Sequence, residues 1–515
     1  MGPYIIAYDL GTGGNKSSLY DMDGKCCAES FIPYTTHYPK PGWHEQNPLD
    51  WWNAVVRSTR ILISESGAHG SEIAGIGISG HSLGVVPVDA KGQLLRNRTP
   101  IWSDSRAADQ ARRFFDTTDE EKWYLTTGNG FPAHLYSVFK LMWYRDHEPD
   151  LFSNIDKFLG TKDYINFKLT GELVTDCSYA SGCGVYDLKA WNYCPELVDA
   201  SEIPSRLFPE IVPSTQIIGT LAPEAAVALG LPPSVRVAAG GVDNSCMALG
   251  ARNIEEGRVY NSLGSSSWIA ACSAKPLLDP KVRPFVFAHV MPGFFTSATS
   301  IFAAGASFNW VRDQICPDLV ADAQKADTDV FEAMIKSAAQ SPAGANKLLF
   351  NPSLSGGTSQ DDSPNIRGAF MGLDLAHTRS DLIRSAMEGI AMGLRLALDE
   401  LRRLTRIGDD MVMVGGGSRS AFWRQIFSDV YNMKVIKTNI DQQAAALGAA
   451  ATIAVGLGWW QDFSKIDDIH KVESEIHPDP KNYALYERLL PVFQMAASHQ
   501  AELGDMLQKI SSSEL

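Results

Sequence analysis

The sequence predicts an α/β protein built from two related domains. Apolar segments rich in β-branched residues alternate with amphipathic segments of helical length along the 515 residues, which is the pattern of strands and helices packed in layers. Short motifs occur twice in the same order, which indicates an internal duplication. The chain is also too long for one ordinary domain. We therefore expect two domains, 1–250 and 251–515, facing each other across a cleft.

The individual elements follow from periodicity. Continuous apolar runs next to glycines predict buried strands, and helices are predicted where apolar residues recur at helical spacing. The predicted strands are 73–80, 235–242, 262–272 and 411–417. The predicted helices are 48–66, 380–404 and 421–432, and a final helix at 483–507 is expected to pack back onto one of the domains.

Three sequence features recur in both halves. The pattern D-x-x-x-x-A-L-G-A begins at Asp243 and again at Asp441. A Gly/Ser loop follows an apolar strand at 77–82 and at 414–420, and a turn of Gly with Thr or Ser occurs at 9–14 and at 261–267. Each match alone is weak, but three in one order favour duplicated domains with a ligand site at their junction.

Composition narrows the function classes. A net charge of −14 argues against a protein that binds nucleic acid or an anionic membrane surface. Eight cysteines without a C-x-x-C pair are typical of reduced thiols. No apolar run approaches the length of a membrane span, and the N-terminal apolar stretch is interrupted by Asp9. We expect a cytoplasmic protein without a signal peptide.

The stretch YIIAYDLGTGGNKSSLYDMDG (4–24) carries the first chemical signal. It is no Walker A loop, because Asn15 precedes Lys16, and no dinucleotide fingerprint, because Lys16 stands where the third glycine is required. The remaining interpretation is a hairpin whose tip offers backbone N–H groups and hydroxyls to a phosphate, with Asp9 at its base holding Mg²⁺ directly or through water. A plain β-hairpin with a glycine-rich turn is the alternative.

A second glycine-rich turn makes the phosphate interpretation stronger. LGSSS (263–267) in the C-terminal half is a candidate for a second tip that contacts the same polyphosphate. GGGSRS (415–420) is rich in glycine and opens a predicted helix, an arrangement suited to close passage of a nucleoside and its phosphates.

Taken together, these segments resemble the FGGY family of carbohydrate kinases, within the actin/Hsp70/sugar-kinase superfamily. The resemblance covers nearly the whole chain and is closest to the xylulokinase branch. It implies two actin-like, ribonuclease H-like domains. The segments that carry it, in the family's order, are DLGTGGNKSSLYDMDG, GWHEQNPLDWW, IGISGHSLGVVPVDAKGQ, PIWSDSRA, AAGGVDNSCMALGA, NSLGSSS, GAFMGLDLAHTRSDLIRSAMEGI, VGGGSRSAFWRQIFSD and AAALGAAATIAVGLG.

The resemblance implies ATP-dependent phosphorylation of a sugar or polyol hydroxyl, with ATP and Mg²⁺ as cofactors. Asp243 matches the family's catalytic base, although an Asp at this point is also a favoured helix N-cap. Asp9 is expected to position Mg²⁺. Lys16 either neutralises phosphate charge or is an exposed hairpin lysine. The residues expected at the phosphates are Thr12, Gly13, Gly264, Ser265 and Ser266, and those on the nucleoside side are Gly416, Gly417 and Ser420.

The sugar pocket is expected in the N-terminal domain. Trp102, Asp104 and Arg106 alternate, so we expect them to share one face of a strand. The alternative is that Asp104 and Arg106 form an ordinary ion pair while Trp102 belongs to the core. The other residues expected at the sugar are His81, Ser82, Tyr136 and Asn244.

The sequence departs from the xylulokinase pattern at two places. His81-Ser82-Leu83-Gly84 stands where that branch has Gln-Met-His-Gly, so the substrate histidine falls on Leu83. Gly356-Gly357-Thr358 lacks the Glu-Arg-x-Pro that follows the glycine in that branch. A ketopentose such as xylulose is the expected substrate, with a hexulose, deoxy-ketose, gluconate, glycerol or erythritol as alternatives.

Two readings from outside the kinases stay open at this stage. One is an ATP-hydrolysing scaffold of the actin/Hsp70 type, and the other is a sensor that binds a sugar without phosphorylating it. The expected partner is a small-molecule sugar. The sequence gives no oligomeric state, but family members are often dimers, so the resemblance implies a homodimer.

Overall fold

The computed structural model describes residues 2–510 and has the α/β architecture that the sequence predicts. The chain forms two compact units, each assembled from several segments. The first contains the chain up to Glu256 together with Cys272–Ser297 and Gln443–His470. The second contains Gly257–Ala271, Ala298–Gln442 and the chain from Lys471 onward. The division at residue 250 stays a prediction.

Strands and helices alternate through both units. The strands are β1 (Tyr4–Leu10), β2 (Gly14–Tyr20), β3 (Cys26–Pro33), β4 (Glu45–Gln46), β5 (Ile73–Gly80), β6 (Val86–Val88), β7 (Thr99–Pro100), β8 (Lys157–Leu159), β9 (Val174–Asp176), β10 (Tyr186–Asp187), β11 (Asn192–Tyr193), β12 (Glu210–Val212), β13 (Ile217–Thr220), β14 (Arg236–Ala238), β15 (Gly241–Val242), β16 (Val259–Leu263), β17 (Ser267–Ser273), β18 (Phe285–Ala288), β19 (Phe295–Ile301), β20 (Leu349–Asn351), β21 (Ala369–Met371), β22 (Asp410–Val414), β23 (Lys434–Thr438) and β24 (Val472–Ile476). The helices are α1 (Pro48–Ser66), α2 (Ala108–Phe115), α3 (Glu120–Thr127), α4 (Ser137–His147), α5 (Pro149–Ser153), α6 (Thr161–Thr170), α7 (Cys177–Ala180), α8 (Pro195–Ser201), α9 (Pro223–Leu229), α10 (Asp243–Gly250), α11 (Gly305–Ile315), α12 (Pro317–Ala326), α13 (Val330–Ala338), α14 (Arg379–Leu404), α15 (Ala421–Tyr431), α16 (Ala444–Gly456), α17 (Lys465–Ile469) and α18 (Pro480–Gln508).

Most of the predicted elements are confirmed. Strand β5 and helix α1 begin and end at the predicted residues, and α14, α15 and α18 differ by three residues or fewer at each end. Helix α18 packs against α15 in the second unit, as the prediction for the last helix required. No helix within the described residues is both long and apolar enough to cross a membrane.

Three predicted strands were wrong in extent. The segment 235–242 is two strands, β14 and β15, because Gly240 interrupts them with a φ of 71°. A side chain at Gly240 would overlap the carbonyl of Ile78, so only glycine fits this turn. The segment 262–272 is a hairpin of β16 and β17, and the strand predicted at 411–417 ends at Val414.

The sheet of the first unit has the strand order β13-β14-β5-β1-β2-β3, and β15 pairs with β5 next to β14. Strands β1 and β15 both run parallel to β5, whereas β1 and β2 form an antiparallel hairpin. Trp51 and Val55 of α1 lie with Ile6 and Tyr8 of β1 in one buried cluster. The parallel pairings bring the carboxyl ends of β1, β5 and β15 to one edge of the sheet.

The second unit repeats this arrangement with different strands. Strand β16 pairs antiparallel with β17 and parallel with β22, which in turn runs parallel to β23. Ser262 near the end of β16 is in register with Val414 at the end of β22. The turn after β16 and the glycine-rich loop after β22 therefore lie at the same edge of this sheet.

The repeated D-x-x-x-x-A-L-G-A motif forms a helix pair inside the first unit. Helices α10 and α16 pack together, and the glycine of each motif lies at the contact. A Cβ at Gly250 would overlap the carbonyl of Ala444, and a Cβ at Gly448 would overlap the carbonyl of Cys246. Each glycine thus faces the residue three positions after the other motif's aspartate. The relation between the copies is reciprocal, as expected of a duplication.

Candidate active site

The first group of predicted site residues lies at the carboxyl edge of the first unit's sheet. Ser79 near the end of β5 is in register with Asp9 of β1 on one side and with Gly241 of β15 on the other. Strand β15 ends at Val242, and Asp243 follows as the first residue of α10. Three adjacent strands therefore place Asp9 and Asp243 on opposite sides of Ser79.

The carboxylate of Asp9 is partly buried and has one side-chain hydrogen bond. Ser79 Oγ donates to Asp9 Oδ1 over 2.9 Å. Burial raises the pKa of Asp9 to about 6, although the Ser79 hydrogen bond and the charge of Lys16 act in the opposite direction. The ionised form is thus poorly compensated within the protein, which is the condition under which a bound cation is most favourable.

Asp243 is in a similar position. Its Oδ1 accepts hydrogen bonds from the backbone N–H of Asn244 at 2.8 Å and from Asn244 Nδ2 at 3.2 Å. Burial, followed by the charge of Asp9, raises the pKa of Asp243 to about 7. The N-cap residue of α10 is Val242, so Asp243 does not occupy the capping position. Its carboxylate still accepts one N–H of the first helical turn.

The tip of the first hairpin is exposed and is held by neighbouring side chains. Gly13 and Thr12 are exposed, and the carbonyl of Thr12 accepts a hydrogen bond from Gln46 Nε2 at 2.8 Å. Trp102 Nε1 donates to Thr12 Oγ1 over 2.9 Å. Lys16, in register with Asp9 on β2, forms an ion pair with Glu29 at 3.6 Å. One residue predicted for the phosphate is therefore bonded to one predicted for the sugar.

The strand predicted for residues 102–106 is absent. Strand β7 ends at Pro100, and the Asp104 N–H donates to the carbonyl of Ile101 in a turn. The prediction from alternation was wrong because the backbone of this segment turns at Asp104 and then bonds through the Ser105 N–H to the carbonyl of Gly42, which lies outside any strand. Trp102 is nonetheless 38% exposed, so it does not belong to the core.

Asp104 and Arg106 form a buried ion pair. Arg106 donates to Asp104 through Nε and Nη2, each at 2.8 Å, and to Glu45 at 2.7 Å. The guanidinium lies 3.9 Å from the ring centroid of Trp43. The backbone N–H of His44 donates to the second oxygen of Asp104. Both side chains are inaccessible to solvent, so the ion-pair alternative describes their observed contacts.

His81 and Tyr136 are also core side chains. His81 is 1% exposed, its ring lies 3.1 Å from the Thr161 hydroxyl, and burial lowers its pKa to about 3. The Tyr136 hydroxyl accepts a hydrogen bond from the N–H of Phe131 at 2.9 Å. Ser82 is 6% exposed, whereas Asn244 is partly exposed next to Asp243.

Sequence reasoning did not single out Lys140, which is buried between the loop after β5 and the loop after β7. Its ammonium donates to the carbonyls of Leu83 at 2.9 Å and Ile101 at 2.7 Å, and so joins the loop after β5 to the loop after β7. Burial lowers the pKa of Lys140 to about 7. Leu83 has a φ of 59°, which is uncommon for a branched side chain. A charged residue inside the apolar segment 137–147 was the available signal.

The second group of predicted residues lies in the second unit, at the turn between β16 and β17. Gly264 and Ser265 are exposed there, and Ser266 is partly buried. The carbonyls of Gly264 and Ser265 accept hydrogen bonds from the first N–H groups of α11 and the residue before it. A Cβ at Gly305 would overlap Gly264, so a glycine permits this close approach. The N-terminus of α11 fixes the tip.

The glycine-rich loop after β22 lies at the same edge. Gly416 is exposed, Gly417 packs its backbone against Leu263, and Ser420 caps α15 through a hydrogen bond from the N–H of Trp423 at 3.1 Å. Asp441, the counterpart of Asp243 in the second repeat, accepts a hydrogen bond from the N–H of Gly415 at 2.8 Å. The two aspartates of the duplication therefore have different partners.

The edge that carries Asp9 and Asp243 combines the features needed to bind a hard cation and remove a proton. Within the described residues no group of three or more His, Cys, Asp or Glu side chains could hold a metal ion without further ligands. A single carboxylate fits Mg²⁺, which usually keeps several waters and takes substrate phosphate oxygens as ligands. A carboxylate with a pKa near 7 is suited to general-base catalysis at neutral pH.

Comparison with known proteins agrees with this chemistry. The models of the FGGY family of carbohydrate kinases match residues 4–250 with the N-terminal domain and 259–457 with the C-terminal domain. The chain is 30% identical over 506 residues to a xylulose kinase of Bacillus subtilis, covering 98% of this chain and 99% of that protein.

Two solved structures from Lactobacillus acidophilus have the same fold. A ligand-bound xylulose kinase is 28% identical with a TM-score of 0.89, covering 97% of this chain and 98% of that one. A gluconate kinase is also 28% identical, with a TM-score of 0.88 and the same coverage. Sugar kinases of this family use ATP as the phosphoryl donor. The recognition made from sequence motifs is thus confirmed: the chain belongs to the FGGY family of carbohydrate kinases.

Proposed function

We propose that this carbohydrate kinase transfers the γ-phosphoryl group of Mg-ATP to a hydroxyl of a ketopentose such as xylulose. The observation that carries the proposal is the placement of Asp9 and Asp243 on either side of Ser79 at the carboxyl edge of one sheet. The Asp9 carboxylate would bind a cation, and the Asp243 carboxylate would accept a proton. Phosphoryl transfer requires a bound cation, a group that accepts the hydroxyl proton, and positioning of the phosphates.

Asp243 is the proposed general base. With a pKa near 7, a substantial fraction of its carboxylate is ionised at neutral pH. As the sugar oxygen bonds to the γ-phosphorus, its proton passes to the Asp243 carboxylate, and the bond to the bridging oxygen of ADP breaks. General-base catalysis of this kind typically contributes ~10²–10⁴-fold to the rate.

The phosphate contacts are proposed for the two glycine-rich turns. In the first unit these are Thr12 and Gly13 with the charge of Lys16, which also pairs with Glu29. In the second unit the proposed phosphate contacts are Gly264, Ser265 and Ser266. Gly416, Gly417 and Ser420 are proposed on the nucleoside side. Asp9 would hold Mg²⁺, directly or through water, and the ion would neutralise charge on the phosphate oxygens when bound.

For the sugar, exposure divides the predicted residues into two sets. Trp102 and Asn244 offer accessible surface near Thr12 and Asp243, so we propose them as direct contacts. The side chains of the other set are buried, and we propose that they support the residues that contact the sugar. It consists of His81, Ser82, Asp104, Arg106 and Tyr136.

Phosphorylation of gluconate is the second candidate. A gluconate kinase is as similar in fold and identity as the xylulose kinase structure. Leu83 stands where a histidine is expected in the xylulokinase branch, so one polar contact to a ketose is replaced by an apolar side chain. A homodimer and a cytoplasmic location remain predictions.

The test is ADP release with Mg-ATP over a panel of ketoses, aldoses, polyols and sugar acids, with D243A measured in parallel. Stimulation by xylulose that disappears in D243A, while D243A still binds ATP, supports the proposal. Stimulation by gluconate alone transfers it to the second candidate. No stimulation by any sugar, or full activity of D243A, contradicts it and favours an ATP-hydrolysing scaffold.

A further inference from the structure

A buried ion cluster lies next to residues 240–242, the turn that precedes Asp243. Lys162, at the start of α6, lies against Asp163 and forms an ion pair with Asp176 at 2.9 Å. All three side chains are at most 1% exposed. Burial opposes the charge of Lys162, but the two carboxylates outweigh it and raise its pKa. Such a cluster is costly to bury unless its charges are well paired.

Asp176 connects this cluster to two serines. Its Oδ2 accepts hydrogen bonds from Ser178 Oγ, from the Ser178 N–H at 2.9 Å and from Ser214 Oγ at 2.7 Å. Its Oδ1 faces Lys162. Both oxygens are therefore engaged and the carboxylate has one defined orientation. The serines it orients come from different segments, α7 and the loop after β12.

Each of the two serines holds one backbone N–H of the turn before Asp243. The N–H of Val242 donates to Ser178 Oγ over 2.9 Å. The N–H of Gly240 donates to the carbonyl of Ser214 over 3.0 Å. A Cβ at Gly241, between them, would overlap Val290 and lie 3.1 Å from Ser178 Oγ. The turn is thus held by hydrogen bonds at residues 240 and 242 and is closely packed at Gly241.

We infer that Asp176 and Ser178 are positioning residues for the transfer step, which fix the backbone that aims the Asp243 carboxylate. The inference rests on the proposed function, in which Asp243 is the base. A displacement of about 1 Å in a reacting group can reduce a rate by roughly 10²-fold. The N–H of Val242 has a fixed acceptor because Ser178 Oγ gives its own hydrogen to Asp176.

The chain offers a matched control on the same segment. Ser181 is as buried as Ser178, and its hydroxyl donates to the Ser178 carbonyl and accepts from the N–H of Ala288. It makes no hydrogen bond to residues 240–242. S178A and S181A therefore remove one buried hydroxyl each, and only S178A removes an acceptor from the turn.

The experiment measures kcat and both KM values of full-length S178A, S181A and D243A with Mg-ATP and xylulose, together with Tm. S178A is expected to lower kcat about 10- to 100-fold with KM values within about threefold of wild type, because substrate contacts are intact. S181A is expected to keep kcat within about threefold at a similar loss of Tm. S178T, which restores a hydroxyl, should recover most of kcat.

Equal kcat values for S178A and S181A would overturn the inference, as would an effect of S178A confined to KM. If S178A does not fold, S214A serves instead, since it removes one hydrogen bond of Asp176 and leaves the backbone bonds of the turn in place. S214A should lower kcat by about threefold or more, and an unchanged kcat would count against the inference. Full activity in D243A would instead contradict the proposed function itself.

Discussion

Asp9 and Asp243 lie on either side of Ser79, and the charge of Asp9 helps to raise the pKa of Asp243 to about 7. Ser79 donates its hydroxyl hydrogen to Asp9 and not to Asp243. The two carboxylates therefore differ in their side-chain donors, which are Ser79 for Asp9 and Asn244 for Asp243. Unequal pKa values in neighbouring carboxylates are a usual basis for a division of roles.

Replacing Asp243 by asparagine should stabilise the protein while it abolishes turnover. The folded-state pKa of Asp243 lies above its ordinary value of 3.8, so ionisation costs stability as pH rises from about 4 through 7. D243N cannot ionise. Its Tm should exceed that of wild type at pH 8, by roughly 2 °C for each kcal/mol, and equal it at pH 4 if the protein is folded there. A Tm gain that is the same at both pH values would contradict this account.

The rate should fall on the acid side of neutrality. A general base must be deprotonated in the form of the enzyme that binds the sugar, so kcat/KM for the sugar is expected to decrease as pH falls through the range in which Asp243, with its raised pKa, takes up a proton. The measurement is a profile from pH 5.5 to 9 at saturating Mg-ATP, with fluorescence recorded at each pH to exclude unfolding. A flat profile down to pH 5.5 would exclude Asp243 as a base with a raised pKa.

The reciprocal glycines of the helix pair should be indispensable for stability. G250A and G448A each place a methyl group against a backbone carbonyl that cannot move away easily. We expect a cost of about 1–3 kcal/mol or more for each substitution, measured by urea unfolding. G393A on α14 is the control, since its new Cβ would meet its nearest neighbours at 3.7 Å. Neutral behaviour of both α10 and α16 variants would contradict the close packing.

The hydrogen bond between Trp102 and Thr12 should couple the sugar and phosphate sides of the first unit. In a double-mutant cycle on kcat/KM, W102F and T12V are expected to show a coupling energy of about 0.5–1.5 kcal/mol. T12S keeps the hydroxyl, so W102F should change kcat/KM by the same factor in the T12S background as in wild type. Strict additivity of W102F and T12V would show that the bond does not contribute to catalysis.

Lys140 should affect the sugar more than the nucleotide. K140M leaves the carbonyls of Leu83 and Ile101 without the Lys140 donor, so the two loops lose one of their connections. We expect a lower Tm and a KM for the sugar raised by roughly tenfold, with the KM for ATP nearly unchanged. K189M, at an exposed lysine, is the control. A sugar KM equal to that of wild type would contradict this role.

Much of the fold was predictable because its signals are local. Helix α1 and strand β5 were predicted to the residue, since both carry the apolar period of one element over its full length. The break at Gly240 was missed, because the requirement for glycine there comes from the carbonyl of Ile78, far away in sequence. The strand predicted at 102–106 was wrong for a related reason: alternation of side chains does not supply a partner strand.

The residue types of the candidate site could be predicted from the sequence, but the burial and the contacts of these residues could not. Asp9 was predicted from the glycines beside it, and Asp243 from the repeated motif and the resemblance to the family. The buried state of His81, Asp104 and Arg106 was not, because accessibility depends on what packs against a side chain. The Lys162–Asp176 pair went unnoticed for the same reason, since nothing in a single sequence indicates which acid meets which base.

By itself the sequence determined the family, the α/β class, and the duplication marked by Asp243 and Asp441. The tertiary structure decided what surrounds each copy. Asp441 accepts a hydrogen bond from the N–H of Gly415, whereas Asp243 accepts hydrogen bonds from its neighbour Asn244 and is influenced by the charge of Asp9. The motif is the same in both places. Only the folded chain sets the burial and the charges that surround each aspartate, because both depend on residues that are distant in the sequence.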